Sequence, residues 1–336
     1  MMRTVPLGRS GLASAAQALG CMGMSEFYGV GDEAENQAVL ARAVELGITH
    51  LDTSDLYGRG ENERLLGRFL KGRAGGREGL LIATKFGILR DPDGPPGSTD
   101  DRTLDNSPAH ARAACEASLR RLGIDCIDLH YLHRHDPAVP IEEVVGALAD
   151  LVAEGKIRTI GLSEVSAGTL RRAHATHPIA ALQSEYSLFA RDVERDILPA
   201  CRELGIGFMA YSPLGRGILA GRIASIDDLA PDDLRRSAPI YAPENLPANL
   251  ALVDRVRALA DRRGATPGQV ALAWLHGKGV IPLPGTKRVR YLEENAAAAD
   301  LALSAEEVAE LEAAVSPDAV AGAGTWSTLR TGEPAR

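Results

Sequence analysis

Short apolar runs alternate with stretches of helical periodicity along the whole chain, and this alternation restricts the fold more than any other feature. The apolar runs are Gln17–Cys21, Ile48–Asp52, Leu80–Lys85, Ile127–His133, Thr159–Ser163, Ala180–Gln183, Ile206–Tyr211 and Val280–Pro282. Between them lie helix-like segments at Glu33–Leu46, Asn62–Leu70, Pro108–Leu122, Ile141–Glu154, Ala167–Ala173 and Val193–Leu204, with two more, Asn249–Arg262 and Pro267–Leu275, before the last run. Strands alternating with helices predict parallel βαβ units. Eight such strands predict a closed barrel, an α/β fold of the (β/α)8 TIM-barrel type with extra helices. Helix starts carry matching signals: Asp32 with Glu35, Thr266 with Gln269 and Ser304 with Glu307 read as capping pairs. Pro108 and Pro267 follow Ser107 and Thr266 as first-turn prolines. The segment LGRSGLASAAQ before the first strand predicts an N-terminal β-hairpin turning at Ser10–Gly11 and placed to plug the barrel floor.

The chain has 336 residues, which suits one barrel domain over 1–336 with a C-terminal loop or tail from about 315. The stretch Ser225–Pro247 holds four prolines and many acids; it is long for a plain connection, which marks it as functional or mobile. A net charge of −8 argues against nucleic acid as a partner, because phosphate binding wants a basic surface. A small anion in a local basic pocket stays open. Cys21, Cys115, Cys126 and Cys201 are spread widely and form no CxxC pair, so neither a zinc site nor a disulfide framework is expected. The N-terminus lacks an apolar signal region and no apolar run reaches the roughly 18 residues of a membrane span. A cytoplasmic protein is the expectation; the oligomeric state is not readable.

In a barrel of this kind, functional groups gather where strands end. The second run ends in LDTSDLYG, which puts Asp52 at the strand end and Tyr57 in the following loop. The third ends in IATKFG with Lys85, and the fourth in IDLHYLHRHD with His133. A tyrosine with its ordinary pKa of about 10 is a poor acid at neutral pH. A lysine ammonium beside it favours the phenolate, a carboxylate can hold that lysine charged, and a histidine can orient a carbonyl. Singly, each residue has a plain structural reading: a turn-capping aspartate, a solvated lysine, a packed rim tyrosine, a core histidine. Their joint placement at three adjacent strand ends favours catalysis. His130, His133 and His135 invite a metal site, but strand alternation puts His130 on the opposite face, so no metal is expected. His50 shares a face with Asp52 and suits a core role.

Two glycine-containing segments compete as phosphate sites. Gly29–Ala34 matches GxGxx[GA], but polar MSEFY precedes it instead of a strand, and Asp32 and Glu33 would set negative charge against a pyrophosphate. The better candidate is IPLPGTKRVRYLEEN, residues 281–295, which leaves the last strand and enters a helix. There Gly285 and Thr286 offer close approach, and Lys287, Arg288 and Arg290 supply positive charge in an acidic protein.

Together these segments resemble the aldo-keto reductase superfamily. The resemblance runs from LGRSG and LGCMGMSEFYG through LDTSDLYGRGENERLLG, IATKFG, HRHDPAVPIEEVVGAL, IGLSEVS, ALQSEYSLF and AYSPLGRG to PGTKRVRYLEEN. It looks closest to the branch of pyridoxal reductases, perakine-reductase-like enzymes and auxin-induced-type reductases. The family implies a catalytic tetrad at Asp52, Tyr57, Lys85 and His133, and NADP(H) bound without a Rossmann fold. It implies Ser163 and Gln183 on the carboxamide and Tyr211 stacked on the nicotinamide. Ser212, Pro213, Leu214 and Gly217 would run along the pyrophosphate, and Gly20, Cys21 and Met22 would border the cofactor at the first strand end. Gly285, Thr286, Lys287, Arg288, Tyr291, Glu294 and Asn295 would hold the adenosine end. Glu164 stands where many members carry Asn, and Tyr291 where many carry Arg, which leaves Lys287 and Arg288 to take the 2′-phosphate. Phe27, Tyr28, Phe86, Arg134 and Phe189 are the candidate substrate pocket. The implied reaction is NADPH-dependent reduction of an aldehyde or ketone, a small-molecule partner, with Tyr57 as proton donor; the alternative is an NADP(H)-binding regulatory or redox-sensing barrel with little turnover.

Overall fold

The computed structural model describes residues 2–29, 31–91, 102–231 and 233–323. Eight parallel strands form one sheet: β1 (Leu19–Gly20), β2 (His50–Asp52), β3 (Leu81–Phe86), β4 (Ile127–Leu132), β5 (Ile157–Ser163), β6 (Ile179–Glu185), β7 (Gly207–Tyr211) and β8 (Ile281–Leu283). Neighbours in sequence are neighbours in the sheet. The two edges then meet: Gly20 bridges Gly285 in parallel, and the amides of Ala18 and Gly20 donate to the carbonyls of Pro282 and Pro284 at 3.0 and 3.1 Å. The sheet is therefore a closed (β/α)8 barrel, and Gly20 and Gly285 form its seam. A Cβ on Gly285 would sit 3.0 Å from the Gly20 carbonyl oxygen, so the seam needs a residue without one.

Helices α1 (Glu33–Glu45), α2 (Glu61–Gly72), α3 (Pro108–Leu122), α4 (Ile141–Ala153), α5 (Ala167–Thr176) and α6 (Ile197–Leu204) follow the first six strands. After β7 come α7 (Leu246–Arg263) and α8 (Pro267–Gly277), and after β8 come α9 (Val289–Ala297) and α10 (Ala305–Ala314). The capping signals hold: Thr266 with Gln269 and Ser304 with Glu307 form reciprocal boxes, while Asp32 accepts from the Glu35 amide alone. The expected helix over Val193–Leu204 is broken, with a 3-10 turn at Asp192–Glu194 before α6.

Strand alternation sorts the side chains into two cores. Outward residues pack under the helices; the inward set, including Leu81, Ala83, Leu129, Tyr131, Ala181, Met209 and Ile281, fills the barrel. Gly161 on β5 makes room there, since a Cβ would lie 2.3 Å from Cδ1 of Tyr131. The N-terminal hairpin pairs Thr4–Pro6 with Ala13–Ala15, and Leu7 from its turn is fully buried in the inward core. The Arg9 amide donates to the Gly205 carbonyl at 2.7 Å, which fastens the plug to the floor.

Three features at the other end shape the site. A second hairpin follows β3, pairing Ile88–Arg90 with Arg102–Leu104. The stretch 225–247 coils into 3-10 turns at Ile226–Asp228, Leu234–Ser237 and Pro239–Tyr241, anchored by buried Tyr241. The chain after α10 returns to α7, where Asn249 and the backbone of Ala321 exchange two hydrogen bonds of 2.9 Å. The last part of the expected C-terminal tail, 324–336, lies outside the described residues. No described helix is long and apolar enough to cross a membrane.

Candidate active site

The strand ends on the face away from the hairpin plug open into a cavity of about 430 Å³. Asp52, Tyr57 and His133 line it, and Lys85 is fully buried behind them. Asp52 ends β2 and Lys85 lies on β3, which pairs with it, so the two inward side chains meet in the barrel mouth. Lys85 Nζ forms an ion pair with Asp52 Oδ1, donates to the Thr53 carbonyl at 2.9 Å, and reaches Tyr57 Oη at 3.3 Å. Gln183 Nε2 on β6 donates to the other Asp52 oxygen at 2.8 Å. The Tyr57 and His133 rings meet edge to face, with centroids 5.9 Å apart. Tyr57 opens a short turn after β2 in which Gly58 and Arg59 are both left-handed, and that turn sets its ring over Lys85.

Burial dominates the electrostatics. It pushes the Tyr57 phenol above its ordinary value, with Lys85 and Arg134 pulling it back. The expectation that Lys85 brings Tyr57 below its ordinary pKa is therefore corrected: desolvation outweighs the ammonium in this cavity, and Tyr57 is a protonated phenol at neutral pH. Burial opposes the charge on Lys85, but Asp52 and Tyr57 outweigh it and hold the ammonium above its usual range. Burial also pushes Asp52 up, against Lys85 and Gln183. His133 is held well below its usual value, by burial first and then by Arg134, Lys85 and Arg102, so its imidazole is neutral. Its Nδ1 lies 3.2 Å from Ser54 Oγ; with that nitrogen accepting, Nε2–H faces the cavity. The arrangement can present a phenolic proton and an imidazole N–H to one oxygen atom, with a buried ammonium to stabilise the phenolate that forms.

The other expected residues divide. Gly20, Met22, Ser163, Gln183, Tyr211, Ser212, Pro213, Leu214, Gly217, Gly285, Thr286, Lys287, Arg288 and Tyr291 all line the same cavity, as do Phe27, Tyr28 and Arg134. Cys21, Phe86, Phe189, Glu294 and Asn295 do not. Cys21 is fully buried beneath the rim, where burial pushes its thiol up. Phe86 points away from Lys85 and stacks on His130 outside the barrel, centroids 5.0 Å apart. Phe189 is buried in the outer core. Glu294 pairs with Arg222 and accepts from Thr266 at 3.0 Å. Asn295 is buried on α9.

The cavity also takes Leu56, Ile88, Arg102, Arg216, Leu234 and Arg235, which sequence reasoning missed. Ile88 and Arg102 come from the second hairpin, and Leu234 and Arg235 from the coiled stretch 225–247. That stretch is tied across the opening: the Leu234 amide donates to the Phe27 carbonyl at 3.2 Å, and the Arg235 guanidinium stacks 4.9 Å over the Tyr28 ring. Lys287 Nζ donates to the Tyr28 and Gly29 carbonyls at 2.6 and 3.1 Å, and Arg288 pairs with Glu35. Within the GxGxx[GA] segment, the Gly29 carbonyl is thus held by Lys287, while Asp32 caps α1 and Glu33 and Ala34 begin it.

The far end of the cavity suits a phosphate-bearing cofactor. Ser212, Gly215, Arg216 and Gly217 all have positive φ, which folds the loop after β7 into a tight concave turn along the wall. Helix α9 starts without a side-chain cap at Arg288, and Thr286, Lys287 and Arg288 line the cavity beside that start. No three His, Cys, Asp or Glu side chains among the described residues cluster to hold a metal ion.

A family model for the aldo/keto reductase family matches residues 18–316. Among solved structures, the glycerol dehydrogenase AKR11B4 from Gluconobacter oxydans is 29% identical with a TM-score of 0.83, over 94% of this chain and 96% of that one. The aldo-keto reductase AKR11C1 from Bacillus halodurans, in its holo form, is 27% identical with a TM-score of 0.76, over 94% and 97%.

Proposed function

The chain belongs to the aldo/keto reductase family, and we propose that it is an NADPH-dependent reductase of aldehydes or ketones, of the pyridoxal-reductase-like branch. The observation that carries this reading is the contact of Lys85 Nζ with both Asp52 and Tyr57 Oη beneath a cavity that His133 also faces. NADPH supplies a hydride from nicotinamide C4. The protein does the rest. Ser163 and Gln183 would hold the carboxamide, and Tyr211, at the end of β7, would stack on the nicotinamide. The turn from Ser212 to Gly217 would take the pyrophosphate. Thr286, Lys287 and Arg288 would take the 2′-phosphate at the start of α9.

His133 Nε2–H donates to the substrate oxygen and aims it at Tyr57. As negative charge grows on that oxygen, Tyr57 gives up its phenolic proton to it. The burial that keeps Tyr57 protonated would make this transfer costly, but Lys85 stabilises the phenolate in a medium of low dielectric. Asp52, itself held by Gln183, keeps Lys85 charged and in place. Solvent returns the proton to Tyr57 after product leaves.

Oxidation of NADPH with a panel of aldehydes tests the reading. Tyr57→Phe removes one oxygen and the transferable proton; turnover should fall by about 10²- to 10⁴-fold while NADPH still quenches intrinsic fluorescence as in the wild type. Full activity in that variant overturns the mechanism. Tight NADPH binding with no turnover of any aldehyde by the wild type favours the regulatory alternative.

A further inference from the structure

The charges around the cavity are lopsided. Asp52 is the sole carboxylate among its described lining residues, and Lys85 neutralises it. Against it stand Arg102, Arg134, Arg216, Arg235, Lys287 and Arg288. Three of these are matched from outside the lining: Arg216 by Glu185 at 3.4 Å, Arg235 by Asp233 at 2.6 Å, and Arg288 by Glu35. Lys287 belongs to the phosphate end.

Arg134 stands apart. It follows His133 directly, at the carbonyl end. Nη1 alone is engaged, donating to the His133 carbonyl at 2.6 Å and to Ser163 Oγ at 3.0 Å. Both acceptors are neutral, so the guanidinium forms no ion pair among the described residues, and Nη2 and Nε are left for a ligand. It lines the cavity together with His133 and Tyr57, and its charge acts on both of them as well as on Glu185, which already pairs with Arg216. The apolar side chains of the cavity, Phe27, Leu56 and Ile88 with Met22 and Leu234 against them, cluster with Tyr57. A cation among such walls is weakly screened, and a neutral substrate would displace its water without replacing it. Arg102 lines the same cavity, with its guanidinium 5.2 Å over the Phe27 ring.

We propose that the substrate is an aldehyde or ketone carrying a carboxylate, and that Arg134 binds that carboxylate through Nη2 and Nε. The proposal rests on the carbonyl-reductase reading of the same site. A guanidinium edge matches a planar carboxylate with two parallel hydrogen bonds, which neither a hydroxyl nor an ester can return.

The test compares kcat/KM with NADPH for 3- and 4-carboxybenzaldehyde against their methyl esters, which differ by one charge. The wild type should favour one of the acids over its ester by at least about 10-fold, mostly through KM, the size expected for hydrogen bonds to a charged group. Arg134→Gln should bring that ratio close to one, and Arg134→Lys should retain part of it. An acid-to-ester ratio at or below one in the wild type overturns the proposal. So does an equal loss for acid and ester in Arg134→Gln, which is what a purely structural hold on Ser163 would give. Turnover of the esters without preference for the acids refutes the carboxylate alone, whereas no turnover of any carbonyl refutes the reductase reading beneath it.

Discussion

His130 offers a measurement of how firmly the β4 strand that delivers His133 is sealed from water. Its ring is fully buried and stacked on Phe86 at an interplanar angle of 18°. Burial pushes its pKa down from 6.5 to about 4, with the Thr84 backbone acting weakly the other way. In the unfolded chain it titrates near its ordinary value of about 6.5. Between these two values the unfolded state binds a proton that the folded state refuses. Stability from this residue is therefore whole above about pH 6.5, falls as pH drops through the window, and stops falling below about pH 4, where both states are protonated. At about pH 5 the proton-binding factors of the two states differ about 30-fold, which is a loss of ~2 kcal/mol relative to about pH 7.5. Other groups titrate in the same window, so the comparison needs a variant that removes this one alone. His130→Phe keeps a stacked ring and cannot titrate. Urea unfolding of both proteins at about pH 7.5 and about pH 5 gives two stability gaps, and any packing offset of the larger ring cancels between them. The gap should move in favour of the variant by ~2 kcal/mol at the lower pH. A gap that stays constant within ~0.5 kcal/mol would refute the buried, neutral His130 and with it the sealing of this wall.

Two further perturbations address the site. Lys85→Met strands Asp52 in the barrel mouth with Gln183 as its remaining side-chain partner; it should abolish turnover and cost ~3–5 kcal/mol in chemical denaturation, and adding Asp52→Asn should recover much of that stability without recovering activity. If the double variant is no more stable than Lys85→Met, the loss did not come from an uncompensated charge. Replacing Lys287 and Arg288 together with Gln should weaken NADPH at least about 10-fold more than NADH in fluorescence titrations, because NADPH alone carries the 2′-phosphate. Equal weakening of both cofactors would assign the pair to holding the Tyr28–Glu35 segment and not to the phosphate.

The parts that were legible in the sequence are those governed by strand periodicity. The alternation of eight apolar runs predicted the barrel, and the strand ends predicted where Asp52, Lys85 and His133 would converge. The same periodicity also excludes an expectation that the structure corrects. Lys85 must face inward to meet Asp52, so Phe86, one residue on, must face outward; it stacks on His130 for that reason and does not line the cavity. Strand parity would have removed it from the candidate pocket at the outset. The outer wall obeyed no such rule. Arg102 sits on a hairpin strand of three residues, and Arg235 in a 3-10 turn of four. Elements that short present no period to read, and distant partners help to place them: the Phe27 carbonyl for Leu234 and the Tyr28 ring for Arg235, whose guanidinium also pairs locally with Asp233.

This division has a chemical consequence. Asp52, Lys85 and His133 come from adjacent strands or the residue just beyond one, where the sheet sets their spacing, and Tyr57 comes from the short turn that follows β2. Arg102 and Arg235, which line the outer part of the cavity, come from short segments held by side chains, where single substitutions can change charge without disturbing the barrel. Arg134 lies between the two classes. It is one residue beyond His133 and is anchored by two bonds from a single nitrogen. Under the proposed role its remaining nitrogens do the selecting, and for that reason a matched pair of acid and ester reads the choice of substrate more directly than any change in the loops.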